Sequence, residues 1–578
     1  MTATQHEYRL YEKGSREEEA ELSLKTTAVS RPVAWLVCVA LATILFSELA
    51  IQHVVEIRRN LAALKESGAK PSLLRLLPKC YDVVRLLPSF RRSAGQEGFW
   101  RWWNSLPPPS EIDAFADELS KDSCISNQVR PWVQEGLAYA GAANEKAYLG
   151  RNGWLFYRPG IDYCTGPAFL DARALAQRRA NAKLEVQPDP RRAVLQFHRQ
   201  LADRGIALVL MPVPDKATIH PEMFSDRYDG REAAAVQNPS YAEFVAEVQR
   251  AGVVVCDVAN ILVGREQTTF RPMYLATDTH WRPEAMEQAA AELARCIRRR
   301  VPLAPAGPDV CRREQTVCNL GDVAVMLKLR PEQRLFGREE AVIHPVTTAA
   351  GAPWSPQSGA EVLLLGDSFS NIFSLELMGW GAGAGLAEQL SFELQQPVDA
   401  ILRNDDGAHA TRAILSRELA QGQDRLAGKK VVVWQFAARE LSAGDWKLLD
   451  MELKQAARPV NAATPGGGAT VVSGVVAAKS AAPRAGTVTY ADHIFTIDLE
   501  NIQVLSGKLA DHRIPVYLFS MRGQKNTPAY SWTVGQRVKL KLQPWAPEFE
   551  KKYGRLNRSL TEDLDLMTAR PWWGEVAE

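Results

Sequence analysis

Charge of one sign is what this chain of 578 residues lacks: 69 Lys and Arg stand against 67 Asp and Glu, a formal net charge of +2 at pH 7. Proteins that track a polyanion carry a basic patch or stripe, so no nucleic-acid partner is expected. Cysteine is sparse as well. There are eight, none spaced Cys-x-x-Cys, so neither a zinc site nor a dithiol redox centre is indicated, and no metal or cofactor is expected. With Cys38 set aside in an apolar run, the rest (Cys80, Cys124, Cys164, Cys256, Cys296, Cys311 and Cys318) are odd in number, so at least one stays free. Cys311 with Cys318 is the pair expected to bridge in an oxidising compartment, plain buried thiols being the alternative. Long hydrophobic runs are missing after the first fifty residues, so no second membrane span is expected.

One such run is present. Residues 1–31 are polar and crowded with Glu17, Glu18, Glu19 and Glu21, without an apolar period, and read as a disordered tail. Residues 32–52 then hold the stretch Val33 to Ala50, interrupted only by Glu48. A transmembrane helix needs about 20 largely apolar residues, and a glutamate near one end can reach the interface. The stretch reads as a single transmembrane anchor, with a buried core helix as the alternative. Its charged lead and the lack of a small-residue cleavage site argue against a cleaved signal. Lys25 and Arg31 before it, and Arg58, Arg59 and Lys65 after it, leave the orientation open. Residues 53–135 read as a helical linker, with an aromatic cluster at Phe99, Trp100, Trp102 and Trp103 ahead of Pro107, Pro108 and Pro109.

The whole chain is 46% hydrophobic and 24% charged, ordinary for packed domains. In residues 136–455, Ile206 to Met211, Gly252 to Asp257, Val362 to Leu365 and Val431 to Phe436 are short apolar runs of the kind buried parallel strands show. Helical stretches alternate with them, among them Pro283 to Arg299, which opens on proline and ends in arginines. The pattern predicts a three-layer α/β domain with a parallel sheet.

The richest stretch is Glu361 to Ser370, reading Glu-Val-Leu-Leu-Leu-Gly-Asp-Ser-Phe-Ser. Gly366 allows a sharp turn off the strand, and Ser368 then stands at the strand's carboxyl end, where open α/β sheets bind ligands. Serine becomes a nucleophile only beside a base with an orienting carboxylate, and Asp278-Thr279-His280-Trp281 supplies both. Ser370 excludes the Gly-x-Ser-x-Gly elbow. Gly366-Asp367-Ser368 resembles instead the nucleophile block of SGNH (GDSL-like) hydrolases. Those enzymes place Asp-x-His after the serine, whereas here it comes first and is followed by tryptophan. That order resembles the alginate O-acetyltransferase family of AlgJ and AlgX type. Further blocks agree in kind and order: Gly150-Arg-Asn-Gly153-Trp154-Leu-Phe-Tyr157, Pro212-Val-Pro214-Asp-Lys216, Ile219-His220-Pro221-Glu222, and Ala438-Arg439-Glu440-Leu441.

The resemblance implies an SGNH-like domain, an acetyl-serine intermediate on Ser368, His280 as base and Asp278 as its orienting carboxylate. It implies an exported polysaccharide as acceptor and an integral membrane-bound O-acyltransferase as the partner that supplies acetyl groups. It also places the bulk of the chain outside the cytoplasm, on an inner-membrane anchor. Asn404 and Arg403 are candidates for the oxyanion hole beside the Ser368 N–H, and Trp281 either stacks on sugar or packs; Asp367 braces the turn. His220 and His409 are left out of the site. Identical side chains serve a carbohydrate acetyl esterase, and a sugar-binding subunit without turnover stays open beside it. After a flexible linker over 456–469, which contains Pro465-Gly466-Gly467-Gly468, residues 470–578 hold short alternating strands with turn residues between them. They predict a small β domain, OB-like or a sandwich, either carbohydrate-binding or structural. Trp545, Trp572 and Trp573 either pack back on it or meet sugar.

Overall fold

The computed structural model describes residues 124–578 apart from 183–185, 229–233, 304–309, 405–406, 454–469, 484–491, 510, 524, 547–548, 550–551, 554–555, 560–570 and 578, together with scattered positions between 32 and 58. The chain separates into units 1–133 and 134–578, and the second carries every feature below. The expected tail, most of the anchor over 32–52, nearly all of the linker over 53–135 and the linker over 456–469 lie outside the described residues. Val33, Trp35 and Leu36 in the first apolar run are helical and exposed, and among the described residues no helix is long and apolar enough to cross a membrane.

In chain order the α/β domain runs α1 (Pro190–Ala202), β1 (Ala207–Val213), α2 (Tyr241–Arg250), β2 (Val254–Val255), α3 (Pro283–Arg300), α4 (Asp322–Met326), β3 (Val362–Gly366), α5 (Ser368–Asn371), α6 (Leu386–Leu394), β4 (Asp399–Leu402), α7 (Ala410–Ala420) and β5 (Val431–Ala437). The five strands form one parallel sheet in the order β4-β3-β5-β1-β2. Local signals start the helices. Asp189 caps α1 by accepting from the Arg191 N–H at 3.0 Å with Pro190 behind it, and α3 opens on Pro283 and closes on Arg298, Arg299 and Arg300.

Alternation along the strands divides the interior into two cores. Val209, Met211, Leu364 and Val433 face α3 and α6, meeting Met286, Leu293 and Leu390. Leu208, Leu210, Leu365 and Trp434 face the other way, against Phe197 of α1, Phe244 of α2 and Leu415 of α7. Every residue of β3 and β5 is buried, which is why those strands read as unbroken apolar runs.

Residues from Thr470 onward build a second, all-β body from β6 (Thr470–Lys479), β7 (His493–Ser506), β8 (Arg513–Arg522), β9 (Arg537–Pro544) and β10 (Trp572–Val576). Their pairings run β6-β7-β8-β10-β9 and return to β6, so the sheet closes into a barrel and the sandwich alternative falls. Closure removes exposed edges. Along β9, Val538, Leu540 and Leu542 turn inward while Arg537, Lys539 and Lys541 stay exposed, a period of two.

One expectation changes here. The expected Cys311–Cys318 bridge is not made: both thiols are free and exposed, on separate two-stranded ladders. Of the barrel's tryptophans, Trp573 takes the packing alternative. Trp573 is buried among Tyr517, Phe519, Trp545, Phe549 and Tyr553, with the Tyr553 and Trp573 rings stacked at 4.8 Å. The barrel is pinned to the sheet by Arg403, just past β4. Its guanidinium donates to the Leu556 carbonyl at 3.2 Å and to that of Arg558, while Arg417 of α7 donates to the Tyr517 hydroxyl at 3.2 Å.

Arg403→Ala leaves two carbonyls at this junction without their donor, a loss of about 3 kcal/mol at the clamp for charge-assisted bonds. Hydrogen exchange is expected to quicken at the start of β7, where His493 to Phe495 pair with Asn557 to Ser559, while the parallel sheet stays protected; unchanged exchange there would show that the clamp holds nothing.

Candidate active site

The turn after β3 is built around one carboxylate. Asp367 caps the four-residue helix α5 by accepting from the Phe369 N–H at 2.9 Å. Its two oxygens also accept from the Gln435 amide and the Ala437 N–H, both at 2.7 Å, on neighbouring β5. Gln435 returns the contact, accepting from the Asp367 N–H at 3.0 Å and from the Ser370 hydroxyl at 2.6 Å. A Cβ on Gly366 would lie 2.3 Å from Ser370 Oγ, so glycine is required for this close approach. The result is a rigid turn with Ser368 as its first helical residue and with no partner for the Ser368 N–H among the described residues.

The second half of the site is the loop from Ala276 to Trp281. Glu339 holds it by accepting from the N–H groups of Ala276 and Thr277 at 2.8 Å each and from the Thr277 hydroxyl at 2.7 Å. The fully buried Lys216 donates to the Leu155 and Ala276 carbonyls at 2.7 and 3.1 Å, and burial brings its ammonium down to about 8. Trp281 is buried against Phe369, its Nε1–H donating to the Phe369 carbonyl at 3.1 Å. That bond ties the loop to α5 and assigns Trp281 to packing; no face of it remains for a sugar.

Loop and turn meet at His280. Its Nε2 lies 2.9 Å from Ser368 Oγ, and its Nδ1 lies 2.7 Å from Asp278 Oδ1. With the Nδ1 proton given to Asp278, Nε2 keeps its lone pair toward the serine hydroxyl. Burial opposes the charged form of Asp278, but the hydrogen bonds and charge of His280, the Asp322 N–H and the Trp380 indole outweigh it and hold the carboxyl at about 2. Burial likewise opposes charge on His280, and the Asp278 bond and charge overcome it, raising the imidazole above its ordinary value.

Asp278, His280 and Asp322 each offer a donor atom within 4.8 Å of the others, a spacing that also suits a cation. Both Asp278 oxygens are already occupied by N–H donors, at 2.7 Å from His280 and at 2.9 and 3.0 Å from Trp380 and Asp322, so the set is organised for hydrogen bonding. A second cluster, His220, Glu222 and Glu266, has the same limit: His220 Nε2 accepts from the Met273 N–H at 3.0 Å, which places the proton on Nδ1 toward Glu222. His220 is a structural histidine, as is His409, which burial lowers to about 4.

Of the remaining candidates, Asn404 stays beside the turn. Its Oδ1 accepts from Asn371 Nδ2 at 2.7 Å, and among the described residues its own NH2 meets the Met378 sulfur at 3.5 Å, a weak acceptor. Arg403 leaves the site, because both terminal nitrogens are committed to barrel carbonyls. Missed from the sequence were Trp380, Asn371 and Asp322. Gln435 carried a visible signal, a lone amide inside the apolar strand Val431 to Phe436.

Residues 147–438 match the model of a family described as the SGNH hydrolase-like domain of acetyltransferase AlgX. The chain belongs to this family. It is therefore an acyltransferase of the SGNH type. Over 300 residues it is 32% identical to "Probable alginate O-acetylase AlgJ" of Pseudomonas aeruginosa, covering 51% of this chain and 70% of that protein. Over 299 residues it is 28% identical to the protein of the same name in Pseudomonas putida, covering 51% and 69%. Across such relatives the match spans from 59% to 73% of their length. Among solved structures, the O-acetyltransferase domain of Pseudomonas putida AlgJ aligns with 22% identity and a TM-score of 0.39, covering 52% of this chain and 93% of that one. The AlgX-family match ends before the barrel, which begins at Thr470.

Gly366→Ala pushes a Cβ against Ser370 Oγ and Gln435 Oε1, and so displaces the turn that carries Ser368. Activity is expected to fall by about 100-fold, the scale of a misplacement near 1 Å, with the folded state intact by circular dichroism. Full activity in this variant would mean that the turn's geometry is not limiting.

Proposed function

We propose that the chain is a membrane-anchored O-acetyltransferase of an exported polysaccharide, working outside the cytoplasm through an acetyl-serine on Ser368. The observation that carries this reading is the unbroken line from Asp278 through His280 to Ser368 Oγ, at 2.7 and 2.9 Å. His280 Nε2 takes the hydroxyl proton as Ser368 Oγ attacks the acetyl carbonyl, while Asp278 stabilises the imidazolium. The tetrahedral oxyanion is met by the Ser368 N–H and by the Asn404 NH2, whose amide Asn371 orients. His280 then protonates the departing group. In the second half a sugar hydroxyl gives its proton to the same Nε2 and attacks the acetyl-serine, and collapse frees Ser368 with the acetyl group on the sugar.

The AlgJ relatives carry alginate in their names, which supports a polysaccharide acceptor of that kind. The apolar run over 32–52 supports an inner-membrane anchor, and an acetyl group made in the cytoplasm calls for an integral membrane-bound O-acyltransferase as partner. The closed barrel fits the OB-like alternative, a scaffold that in other proteins binds oligosaccharides.

Mass spectrometry of the full chain, incubated with an activated acetyl ester and several oligosaccharides beside Ser368→Ala, tests the reading. Acetylated oligosaccharide made only by the unmutated protein is the expected result. Free acetate without acetylated sugar would replace transfer by esterase action, and turnover by Ser368→Ala would remove Ser368 from the mechanism. The pH profile adds a second check. Neutral His280 is the active form, so kcat/KM is expected to rise with pH around a midpoint above the usual histidine value of about 6.5. Asp278→Asn lowers that midpoint and reduces kcat by roughly 10⁴-fold, the scale for losing such a carboxylate.

A further inference from the structure

We propose that Asp322 is a positioning residue for this reaction, a second buried carboxylate set against the Asp278–His280 pair that fixes their loop and strengthens His280 as a base. The inference deepens the acetyl-serine reading above and rests on it.

Asp322 is the first residue of α4, and α4 is pressed onto the loop from Thr277 to His280. A Cβ on the preceding Gly321 would come within 2.2 Å of the Thr277 carbonyl carbon, so only glycine lets the helix start so close. Three hydrogen bonds then run side by side. The Gly321 N–H donates to the Thr277 hydroxyl at 3.1 Å, the Asp322 N–H to Asp278 Oδ2 at 3.0 Å, and the Thr279 N–H to Asp322 Oδ1 at 2.6 Å. The Ala324 N–H adds a fourth, to the Thr277 carbonyl at 3.2 Å. One carboxylate oxygen of Asp322 lies within 4.8 Å of both an imidazole nitrogen of His280 and an oxygen of Asp278. The imidazole is thus flanked by two carboxylates, one through a direct hydrogen bond and one through space.

The charged neighbours decide the sign. Asp278 and His280 face Asp322 from the loop, and Tyr157 and Lys216 feel its charge from the strand Leu155–Tyr157 and the helix Lys216–Ile219. Glu339 braces the same loop from the strand Glu339–Ile343, and Arg439, past β5, acts on His280 in the opposite sense. Burial and then the Asp278 charge raise Asp322 to about 6, against the pull of His280 and the Thr279 bonds. Once ionised, the carboxylate favours the imidazolium that forms as Ser368 gives up its proton. Removing that charge has two opposite effects: the base stays neutral to lower pH, and it becomes weaker.

The test compares kcat and KM against pH for the full chain and for Asp322→Asn, Asp322→Glu and Ser368→Ala, with an activated acetyl ester. Asn keeps an acceptor for the Thr279 N–H and removes only the charge. It is expected to lower the plateau kcat about tenfold, leave KM within about twofold and move the ascending limb at least about half a unit toward acid. Asp322→Glu keeps the charge and holds the limb near its original place. A lower plateau with the limb unmoved in Asp322→Asn would reduce Asp322 to a structural brace and overturn the inference. If Asp322→Asn fails to fold, a limb displaced toward acid in Asp322→Glu overturns it instead. Turnover surviving in Ser368→Ala defeats the acetyl-serine reading itself; an inactive Ser368→Ala with an unmoved Asp322→Asn limb defeats only the role of Asp322.

Discussion

A buried carboxylate ringed by N–H donors is the constraint around which this site is assembled. Asp278 is almost wholly removed from solvent, where an isolated carboxylate would take up a proton. It stays ionised because N–H groups surround it: the backbone and ring of His280, the backbone of Asp322 and the indole of Trp380. Those donors come from the loop itself, from the start of α4 and from the turn after α5. Withdrawing any one leaves part of a buried charge uncompensated, so three segments distant in the chain are held in one arrangement.

The same charge organises the chemistry. By drawing the Nδ1 proton, Asp278 leaves the Nε2 lone pair facing Ser368, and the raised imidazole makes His280 a stronger base than an ordinary histidine. Ser368 needs no such tuning; it needs placement. Asp367 and Gln435 provide it by lacing the turn to β5, so the serine is held at the carboxyl end of the parallel sheet, where open α/β sheets bind ligands.

Much of this was legible in residue patterns. The strands β1, β3 and β5 are buried on both faces, and burial on both faces leaves an unbroken apolar run in the sequence. Gly366, Ser368, Asp278 and His280 were legible because a sharp turn and an Asp-x-His pair are local devices, complete within three or four residues. Other roles stayed open because a side chain's type does not say which way it faces. Arg403 and Asn404 are adjacent on one strand end, and alternation sends the first to the barrel and leaves the second beside Asn371. Trp281 follows the histidine in sequence, yet its indole is turned into the core toward Phe369. Trp545 and Trp573, open to sugar or to packing, pack with each other and against Tyr517 and Phe519.

The parallel α/β architecture, the strand-forming tail and the candidates Ser368, His280 and Asp278 were readable from residue order, since each depends on apolar periodicity or on residues a few positions apart. Tertiary structure alone decided that the tail closes into a barrel, that Cys311 and Cys318 stay apart, and that Asp322, Trp380 and Gln435 complete the site. Apart from the cysteines, which are held on separate ladders, these are contacts between segments tens of residues distant, made only when the sheet order and helix packing bring them together. Beyond the lone amide of Gln435 in its apolar strand, no local pattern marks them, because their physical cause is a shared buried volume rather than a shared stretch of chain.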